Sequence, residues 1–203
     1  CTGSHTFRPK IDWLESASDK VITSKEALKF TGLPDKIAII GGGVIGMEFA
    51  SLFNALGSQV SIFEMQNEIL GSFDTDIAAS LRKVYEAKGV KFFLNGDERG
   101  KTEALEADLI LLCIGRKPNV TGLGLETIGL KTDERGQIAA DSFMRTDVDG
   151  VYAAGDVTGK YMLAHVASRE AEVAVNNILG VADKMSYSAV PSVVYTKPEL
   201  ACV

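Results

Sequence analysis

The 203-residue sequence predicts an α/β fold with a parallel sheet, because short apolar runs alternate with segments of helical periodicity. The first run, at 37–40, leads directly into three glycines. Apolar residues then recur at helical spacing between Ile45 and Leu56, with Gly57 ending the predicted helix. A second apolar run follows at 60–63. Strand, helix and strand in this order are typical of a parallel sheet with both faces covered.

The alternation continues along the chain as far as residue 114. A second helix is predicted with Asp74 or Thr75 at its start and Gly89 at its end. Its apolar face consists of Ile77, Leu81, Val84 and Tyr85. Strands are predicted at 90–94 and 108–114, joined by a short polar connection.

The last third of the chain is less regular. Residues 118–150 are rich in glycine, and 136–140 is the best candidate there for a short strand. A further strand is predicted at 151–154, a long helix at 163–179 and a final strand at 192–195.

Composition narrows the class of protein. Hydrophobic residues make up 46% and charged residues 24%, which predicts an ordinary soluble globular chain. The net charge of −6 argues against nucleic acid or an anionic membrane as partner. The three cysteines, at 1, 113 and 202, form no CxxC, and only two histidines are present. We therefore expect no structural metal site and interpret the cysteines as buried thiols in a reducing compartment.

The glycines after the first strand form the motif G-x-G-x-x-G. Gly41 suits the tight turn, Gly43 allows the backbone to approach a pyrophosphate, and Gly46 allows the helix to pack closely on the strand. The pyrophosphate would lie at the helix N-terminus beside Val44 and Ile45, where free N–H groups and the helix dipole favour an anion. The surrounding strands and helix are those of a Rossmann unit, although a tight turn without a ligand gives the same pattern.

Glu64, at the end of the second strand, distinguishes between two dinucleotides. A carboxylate there accepts hydrogen bonds from ribose hydroxyls and repels a 2′-phosphate, and Met65, Gln66 and Asn67 add no basic group. The sequence therefore predicts NAD rather than NADP. From its position one turn into the helix alone, Glu48 is predicted to be a solvent-exposed glutamate.

Two further positions are of interest on chemical grounds. The predicted strand at 151–154 ends in Gly155 and Asp156, which places a carboxylate where such a sheet binds ligands. That aspartate suits a ribityl hydroxyl of a flavin, although Gly-Asp is also common turn chemistry. His165, near the start of the long helix, is more often a packed or capping residue than a base.

Several stretches together resemble the flavoprotein pyridine nucleotide-disulfide oxidoreductases, and within that family the dihydrolipoamide dehydrogenases. They are CTGS at 1–4, IGGGVIGME at 40–48, LCIGRKPN at 112–119, TDVDGVYAAGD at 146–156, MLAH at 162–165 and VPSVVYTKPE at 190–199. They occur in the family's order and cover nearly the whole chain. The resemblance implies a glutathione reductase-like fold, with a Rossmann NAD domain and part of an FAD-binding domain.

The resemblance also implies which residues contact each cofactor. Those for NAD would be Gly41, Gly43, Val44, Ile45, Gly46, Glu48, Glu64 and Gly115. Those for FAD would be Thr2, Gly3, Ser4, Asp156, Met162, Leu163, Ala164 and His165. In the family the residue matching Glu48 lies close to the flavin and nicotinamide rings. No catalytic and no metal-binding residue is assigned to this chain.

The same resemblance implies domains, partners and a parent activity. The NAD domain would span 5–117, a central FAD-contacting segment 118–185 together with 1–4, and the start of a dimerisation domain 186–203. The parent enzyme would oxidise dihydrolipoamide with NAD through FAD and a redox disulfide. It would be a homodimer within a 2-oxoacid dehydrogenase complex, located in the cytoplasm or, in a eukaryote, the mitochondrial matrix.

The chain also departs from the family pattern. It has no C-x₄-C redox pair, the His-Glu pair of the family is missing, and the usual β-hairpin between 95 and 105 is missing or shortened. We therefore expect the isolated chain to be inactive. Two alternatives stay open: another flavin disulfide reductase, of the mercuric reductase or transhydrogenase-like kind, and a non-catalytic NAD-binding module.

Overall fold

The computed structural model describes all residues, Cys1–Val203, and they form two compact units. The sheet unit consists of Arg8–Ile114 and Pro191–Val203. The second unit consists of Cys1–Phe7 and Gly115–Val190. No helix in either unit is long and apolar enough to cross a membrane.

Nine strands and five α-helices make up the regular structure. The strands are β1 Ser4–Thr6, β2 Val21–Thr23, β3 Lys36–Ile40, β4 Gln59–Phe63, β5 Lys91–Phe93, β6 Leu109–Leu112, β7 Arg116–Pro118, β8 Ser192–Val194 and β9 Leu200–Cys202. The helices are α1 Ser24–Ala27, α2 Val44–Leu56, α3 Thr75–Ala87, α4 Glu98–Leu105 and α5 Ala164–Ile178. Short 3₁₀ helices lie at Asp12–Lys20, Leu125–Ile128 and Asp156–Thr158.

The sheet unit is built on a five-stranded parallel sheet in the order β2-β6-β3-β4-β5. Strand β3 lies at its centre, and its last four residues are buried. One face of the sheet is covered by α2 and α3, and the other by α4 and the 3₁₀ helix Asp12–Lys20. The predicted parallel sheet is therefore confirmed, and its central strands are apolar because both faces are covered.

The orientation of α2 differs from the one that its largest apolar residues predict. Leu52 and Leu56 belong to the predicted buried face, but they are 49% and 55% exposed. Of the predicted face, Phe53 is buried and Ile45 and Phe49 are partly buried, whereas Gly46, Met47 and Ala50 are buried and were not predicted. A Cβ at Gly46 would lie 2.0 Å from the Gly41 carbonyl oxygen, so this glycine has to face the turn. The close approach at Gly46 thus sets the rotation of the helix.

The connection at 95–106 contains a helix that the polar composition does not predict. Helix α4 begins after Asp97, whose side chain accepts the Arg99 N–H. It packs closely on the sheet at Gly100, where a Cβ would lie 2.3 Å from Cδ2 of Phe63. Strand β2 at the sheet edge was also not predicted, because its three residues are too few to show a period.

The second unit contains an antiparallel pair, β1 with β7, and the long helix α5. The helix predicted at 163–179 is confirmed. The strand predicted at 136–140 is wrong, and at 151–154 only a single bridge forms, between Arg145 and Tyr152. Asp133 and Asp141 explain part of the difference, because their side chains accept backbone N–H groups two and four residues ahead. Backbone N–H groups bonded in such turns are not available for hydrogen bonds to a neighbouring strand.

The C-terminal residues of the chain pack on the sheet unit. Strands β8 and β9 form an antiparallel hairpin, and Val194 is fully buried in the same apolar cluster as α2 and α3. Tyr85 of α3 accepts a hydrogen bond from the Lys197 N–H at 3.0 Å and donates one to Ser51 Oγ at 2.7 Å.

Candidate dinucleotide site at the carboxyl edge of the sheet

Two glycines of the turn after β3 are required by the fold itself. Gly41 has a φ of +105°, and a Cβ there would lie 2.5 Å from the Cys113 carbonyl oxygen. Gly46 permits the contact between α2 and the turn described above. Both positions therefore exclude a side chain for reasons internal to the chain.

Gly43 is different, because nothing in the chain requires a glycine there. Its φ is −72°, which any residue adopts, and a Cβ would meet no atom within 4 Å. It precedes α2 and no side chain caps this helix, so first-turn N–H groups and the positive end of the helix dipole are available to an anion. The open space over Gly43 fits a pyrophosphate lying against the backbone.

Glu64 lies beside this turn at the end of β4 and is half-buried. Its Oε2 accepts the Gly42 N–H at 2.7 Å, and its Oε1 accepts the Gln66 N–H at 2.8 Å. Both partners are backbone amides, so the carboxylate is fixed in place without a cation. Each oxygen retains acceptor capacity for a hydroxyl group.

A loop that the motif analysis missed covers Gly42. The Leu70 N–H donates to the Gly42 carbonyl at 2.9 Å, and Cγ2 of Ile69 would lie 2.9 Å from a Cβ at Gly42. Both residues are almost completely buried. The trace in the sequence is the apolar pair itself, which follows the polar residues 66–68.

The remaining residues assigned to NAD lie in different settings. Val44 and Ile45, in the first turn of α2, are partly buried against the core. Glu48 is half-buried, and its Oε1 accepts the Tyr195 N–H at 2.9 Å, so it is not a free surface glutamate. Gly115 belongs to the second unit, where it has a φ of +109° and its carbonyl accepts the Phe7 N–H.

In the second unit the structure brings the N-terminal segment to Asp156. Ser4 Oγ donates to Asp156 Oδ2 at 2.5 Å, and Arg116 holds Ser4 through its Oγ at 2.7 Å and its carbonyl at 2.8 Å. Thr2 and Gly3 are tied to Asn119, whose backbone N–H donates to the Gly3 carbonyl and whose side chain donates to the Thr2 carbonyl. Two stretches far apart in sequence thus meet around one carboxylate.

The four residues at 162–165 form the entry to α5. Leu163 is the capping residue, without a side-chain hydrogen bond, and Ala164 begins the helix. Met162 is half-buried, and the His165 side chain is exposed.

Glu170 is a functional candidate that sequence reasoning missed. It is fully buried, and its carboxylate accepts the Gly155 N–H at 2.5 Å and the Tyr187 hydroxyl at 2.6 Å. Burial and the neighbouring carboxylate raise the pKa of Tyr187 above its ordinary value. The residue fixes the backbone immediately before Asp156. No local pattern marks it, because its partners are 15 and 17 residues away.

All three cysteines are free, but the expectation that they are buried holds only for Cys113, since Cys1 is exposed and Cys202 is half-buried. No group of three potential ligands could hold a metal ion. Cys113 is buried beside the glycine turn, and burial raises the pKa of its thiol to about 12. A thiol of this kind is not a nucleophile at neutral pH.

Comparison with known proteins gives a consistent set of similarities. A family model described as pyridine nucleotide-disulphide oxidoreductase matches residues 1–171. The dihydrolipoyl dehydrogenase of Chlamydia muridarum is 44% identical over 92% of this chain and 43% of its own length. Dihydrolipoyl dehydrogenase 3 of Pseudomonas putida is 38% identical over 92% of this chain and 44% of its own length.

Solved structures show the same relationship at the level of the fold. The HOCl-induced flavoprotein disulfide reductase RclA from Escherichia coli matches with a TM-score of 0.87 and 29% identity, covering 99% of this chain and 49% of its own. LpdA from Mycobacterium tuberculosis matches with a TM-score of 0.85 and 27% identity, covering 98% and 46%. The chain thus spans less than half the length of these proteins.

Proposed function

Because the chain belongs to the pyridine nucleotide-disulphide oxidoreductase family, we propose that it supplies the NAD site and part of the FAD site of a dihydrolipoamide dehydrogenase. The observation that carries the NAD assignment is the open glycine at 43, next to an uncapped helix and a fixed carboxylate. The choice within the family is supported by sequence identity, which is 35–44% to eight dihydrolipoyl or dihydrolipoamide dehydrogenases.

Each part of the proposed NAD site has a distinct task. Gly43 and the first-turn N–H groups at Val44 and Ile45 receive the pyrophosphate, while Gly41 and Gly46 shape the turn. Glu64 accepts the ribose hydroxyls of the adenosine half and repels a 2′-phosphate, which makes the site one for NAD. By the family resemblance Glu48 lies towards the nicotinamide, and Gly115 is the remaining residue of the proposed NAD set.

The proposed FAD contacts are made by the second unit. Asp156, held by Ser4 and by the backbone at Gly155, accepts a ribityl hydroxyl. Thr2 and Gly3 precede Ser4 in the same segment, and the stretch Met162, Leu163, Ala164 and His165 lines the approach to α5. When bound, the flavin supplies hydride transfer with the nicotinamide, and the role of these residues is to hold and orient it.

The chain does not contain the groups that pass electrons from a dithiol. Its cysteines stand at 1, 113 and 202, and no two of them form a C-x₄-C pair. From the family resemblance we propose that this chain acts within a homodimeric enzyme, in the cytoplasm or mitochondrial matrix, as a component of a 2-oxoacid dehydrogenase complex. In that assignment residues 5–117 form the NAD domain, 118–185 with 1–4 contact FAD, and 186–203 begin the dimerisation domain.

Calorimetric titration of the purified chain with NAD and with NADP tests the cofactor site. We expect NAD to bind more tightly than NADP. Glu64→Gln should weaken NAD by about tenfold, since an amide N–H₂ would then face a backbone donor and one ribose acceptor would be lost. Glu103→Gln is the matched control, because that half-buried glutamate pairs with Lys91 instead and should leave the affinity unchanged.

Tighter binding of NADP than NAD would contradict the role of Glu64, and no binding of either would contradict the site itself.

The proposal that the isolated chain cannot oxidise dihydrolipoamide has a separate test. Mixed with dihydrolipoamide, FAD and NAD, the chain should form no NADH above the uncatalysed rate. Formation of NADH would show that a redox group lies within these 203 residues.

A further inference from the structure

The connection between β4 and α3, residues 64–74, holds both polar groups of the Gly42 peptide unit. The Gly42 N–H donates to Glu64 at the start of this β4–α3 loop, and the Gly42 carbonyl accepts from Leu70 near its middle. Ile69 lies against the α-carbon. The position of the glycine turn is therefore set by a segment that the G-x-G-x-x-G motif does not include.

The loop is itself fastened to α3 by one partly buried ion pair, in which the Arg82 side chain is 21% exposed and that of Glu68 10%. Glu68 is 8% exposed, and its Oε1 accepts the N–H of the neighbouring Ile69 at 2.9 Å. Arg82 of α3 donates to the same carboxylate through Nε, at 2.9 and 3.1 Å, and through Nη2 at 3.1 Å. These hydrogen bonds raise the pKa of Arg82 further above its ordinary value. Planar, bidentate contacts of this kind fix orientation as well as distance.

The loop backbone contains one residue in an unfavourable conformation. Leu70 has a φ of +51°, in the left-handed region that a bulky residue rarely adopts, and it is buried. A buried ion pair adds little to overall stability compared with apolar packing, but it can select one conformation. Here the selected conformation is the one that presents the Leu70 N–H to Gly42.

We propose that Glu68 and Arg82 are positioning residues for the NAD site, acting through the β4–α3 loop on the Gly42 turn. The inference rests on the proposed function, since it assigns a further requirement to the same site. Neither residue touches the dinucleotide. Their effect is to keep the Gly42 peptide and the Glu64 carboxylate in the geometry that binds it, so that no reorganisation is needed on binding.

The first test measures NAD affinity by calorimetry in Glu68→Gln and Arg82→Lys. We expect the Kd to rise about five- to tenfold in each, because a charge-assisted bond that holds the loop is weakened while the fold is kept. Glu86→Gln is the matched control. Glu86 pairs with the same Arg82 from the exposed side of α3 and makes no contact with the loop, so the Kd should stay within about twofold.

A second measurement separates positioning from general stability. In a double-mutant cycle, Glu68→Gln and Glu64→Gln should be strongly non-additive in NAD affinity if Glu68 acts through the Gly42–Glu64 contact. A purely structural pair would give additive effects. Amide hydrogen exchange should also show faster exchange at Gly42 and Leu70 in Glu68→Gln, with unchanged protection in β3 and β6.

The outcomes distinguish this inference from the proposed function. Folded variants with unchanged Kd, or additive effects in the cycle, would overturn the positioning role while NAD binding stands. Loss of folding in both Glu68→Gln and Arg82→Lys would overturn it too, by assigning the pair to stability. No NAD binding by the unaltered chain would overturn the proposed function, and the exchange rates at Gly42 and Leu70 would then still decide whether the pair controls the turn.

Discussion

Gly43 distinguishes the requirements of a ligand from those of the fold. Since its φ suits any residue and a Cβ there would touch nothing, Gly43→Ala should change the free energy of unfolding by less than about 1 kcal/mol. The added methyl would occupy the space proposed for the pyrophosphate, and we expect the NAD Kd to rise at least about tenfold. Urea unfolding and calorimetry measure the two effects separately.

Gly46→Ala provides the contrasting control for Gly43. Its Cβ would lie 2.0 Å from the Gly41 carbonyl oxygen, so α2 would have to move away from the turn. We expect a loss of about 1–3 kcal/mol of stability from such overpacking. If Gly43→Ala destabilised the chain as much as Gly46→Ala and left NAD affinity intact, the open space at Gly43 would have no link to the cofactor.

Cys113 gives a prediction that depends on pH. Burial raises the pKa of its thiol from 9.0 to about 12, so the folded chain retains a proton that the unfolded chain releases. This contribution to stability is complete below pH 9 and is lost as the pH rises from 9 towards 12. Cys113→Ala should therefore flatten the fall in stability over that window, as measured by urea unfolding at several pH values.

The same burial controls the reactivity of Cys113. At pH 8 an aromatic disulfide reagent should label the exposed Cys1 quickly and Cys113 only after denaturation. Rapid labelling of Cys113 in the folded chain would show that its thiol is accessible, contrary to its position beside the glycine turn.

At the scale of elements, α4 depends on a glycine in its interior. Alanine is usually favoured over glycine inside a helix by about 1 kcal/mol. At Gly100, however, a Cβ would lie 2.3 Å from Cδ2 of Phe63 and 2.8 Å from Cβ of Phe93. We therefore expect Gly100→Ala to destabilise the chain by about 1–3 kcal/mol. Thermal unfolding measures whether Gly100→Ala lowers the stability. Thr102→Ala, on the exposed side of α4, is the control and should not lower it.

The same helix shows why part of the fold was not predictable from sequence. The apolar runs of β3, β4 and β6 are visible in the sequence because both faces of these strands are buried. Helix α4 is polar, has a central glycine and forms against Phe63, which is distant in sequence. The rotation of α2 was wrong for a related reason, since the position of Gly46 outweighed the larger side chains at Leu52 and Leu56.

The candidate site likewise contains residues that the sequence predicts and residues that it does not. The glycine turn and Glu64 are readable because their spacing follows from the geometry of a strand, a turn and a helix. The groups that fix them are not, because Glu68 with Arg82 and Glu170 with Tyr187 are pairs formed through space. Whether these residues bind cofactors stays a prediction that the binding experiments above test.

At the scale of the whole molecule, the unfolding of one unit can be followed by the fluorescence of a single tryptophan. Trp13 is its only tryptophan, lies in the sheet unit and packs edge-on against Phe63, with ring centroids 5.8 Å apart. Tryptophan fluorescence therefore follows the unfolding of the unit that contains the Gly43 turn and Glu64. Any ligand that binds only the folded form of this unit must raise its apparent stability.

NAD at about one hundred times its Kd should add about 2.7 kcal/mol to the stability of the sheet unit. We expect the Tm followed by Trp13 to rise by several degrees, in proportion to the logarithm of the NAD concentration. Without NAD, Gly43→Ala should keep the original Tm. With a Kd about tenfold higher, the same NAD concentration should add at most about 1.4 kcal/mol, so its rise in Tm should be about half as large or smaller. The Gly43 turn and Glu64 both lie within the sheet unit. A rise that is equally large for NADP, or one that is undiminished in Gly43→Ala, would therefore place the stabilising ligand somewhere other than the Gly43 turn and Glu64.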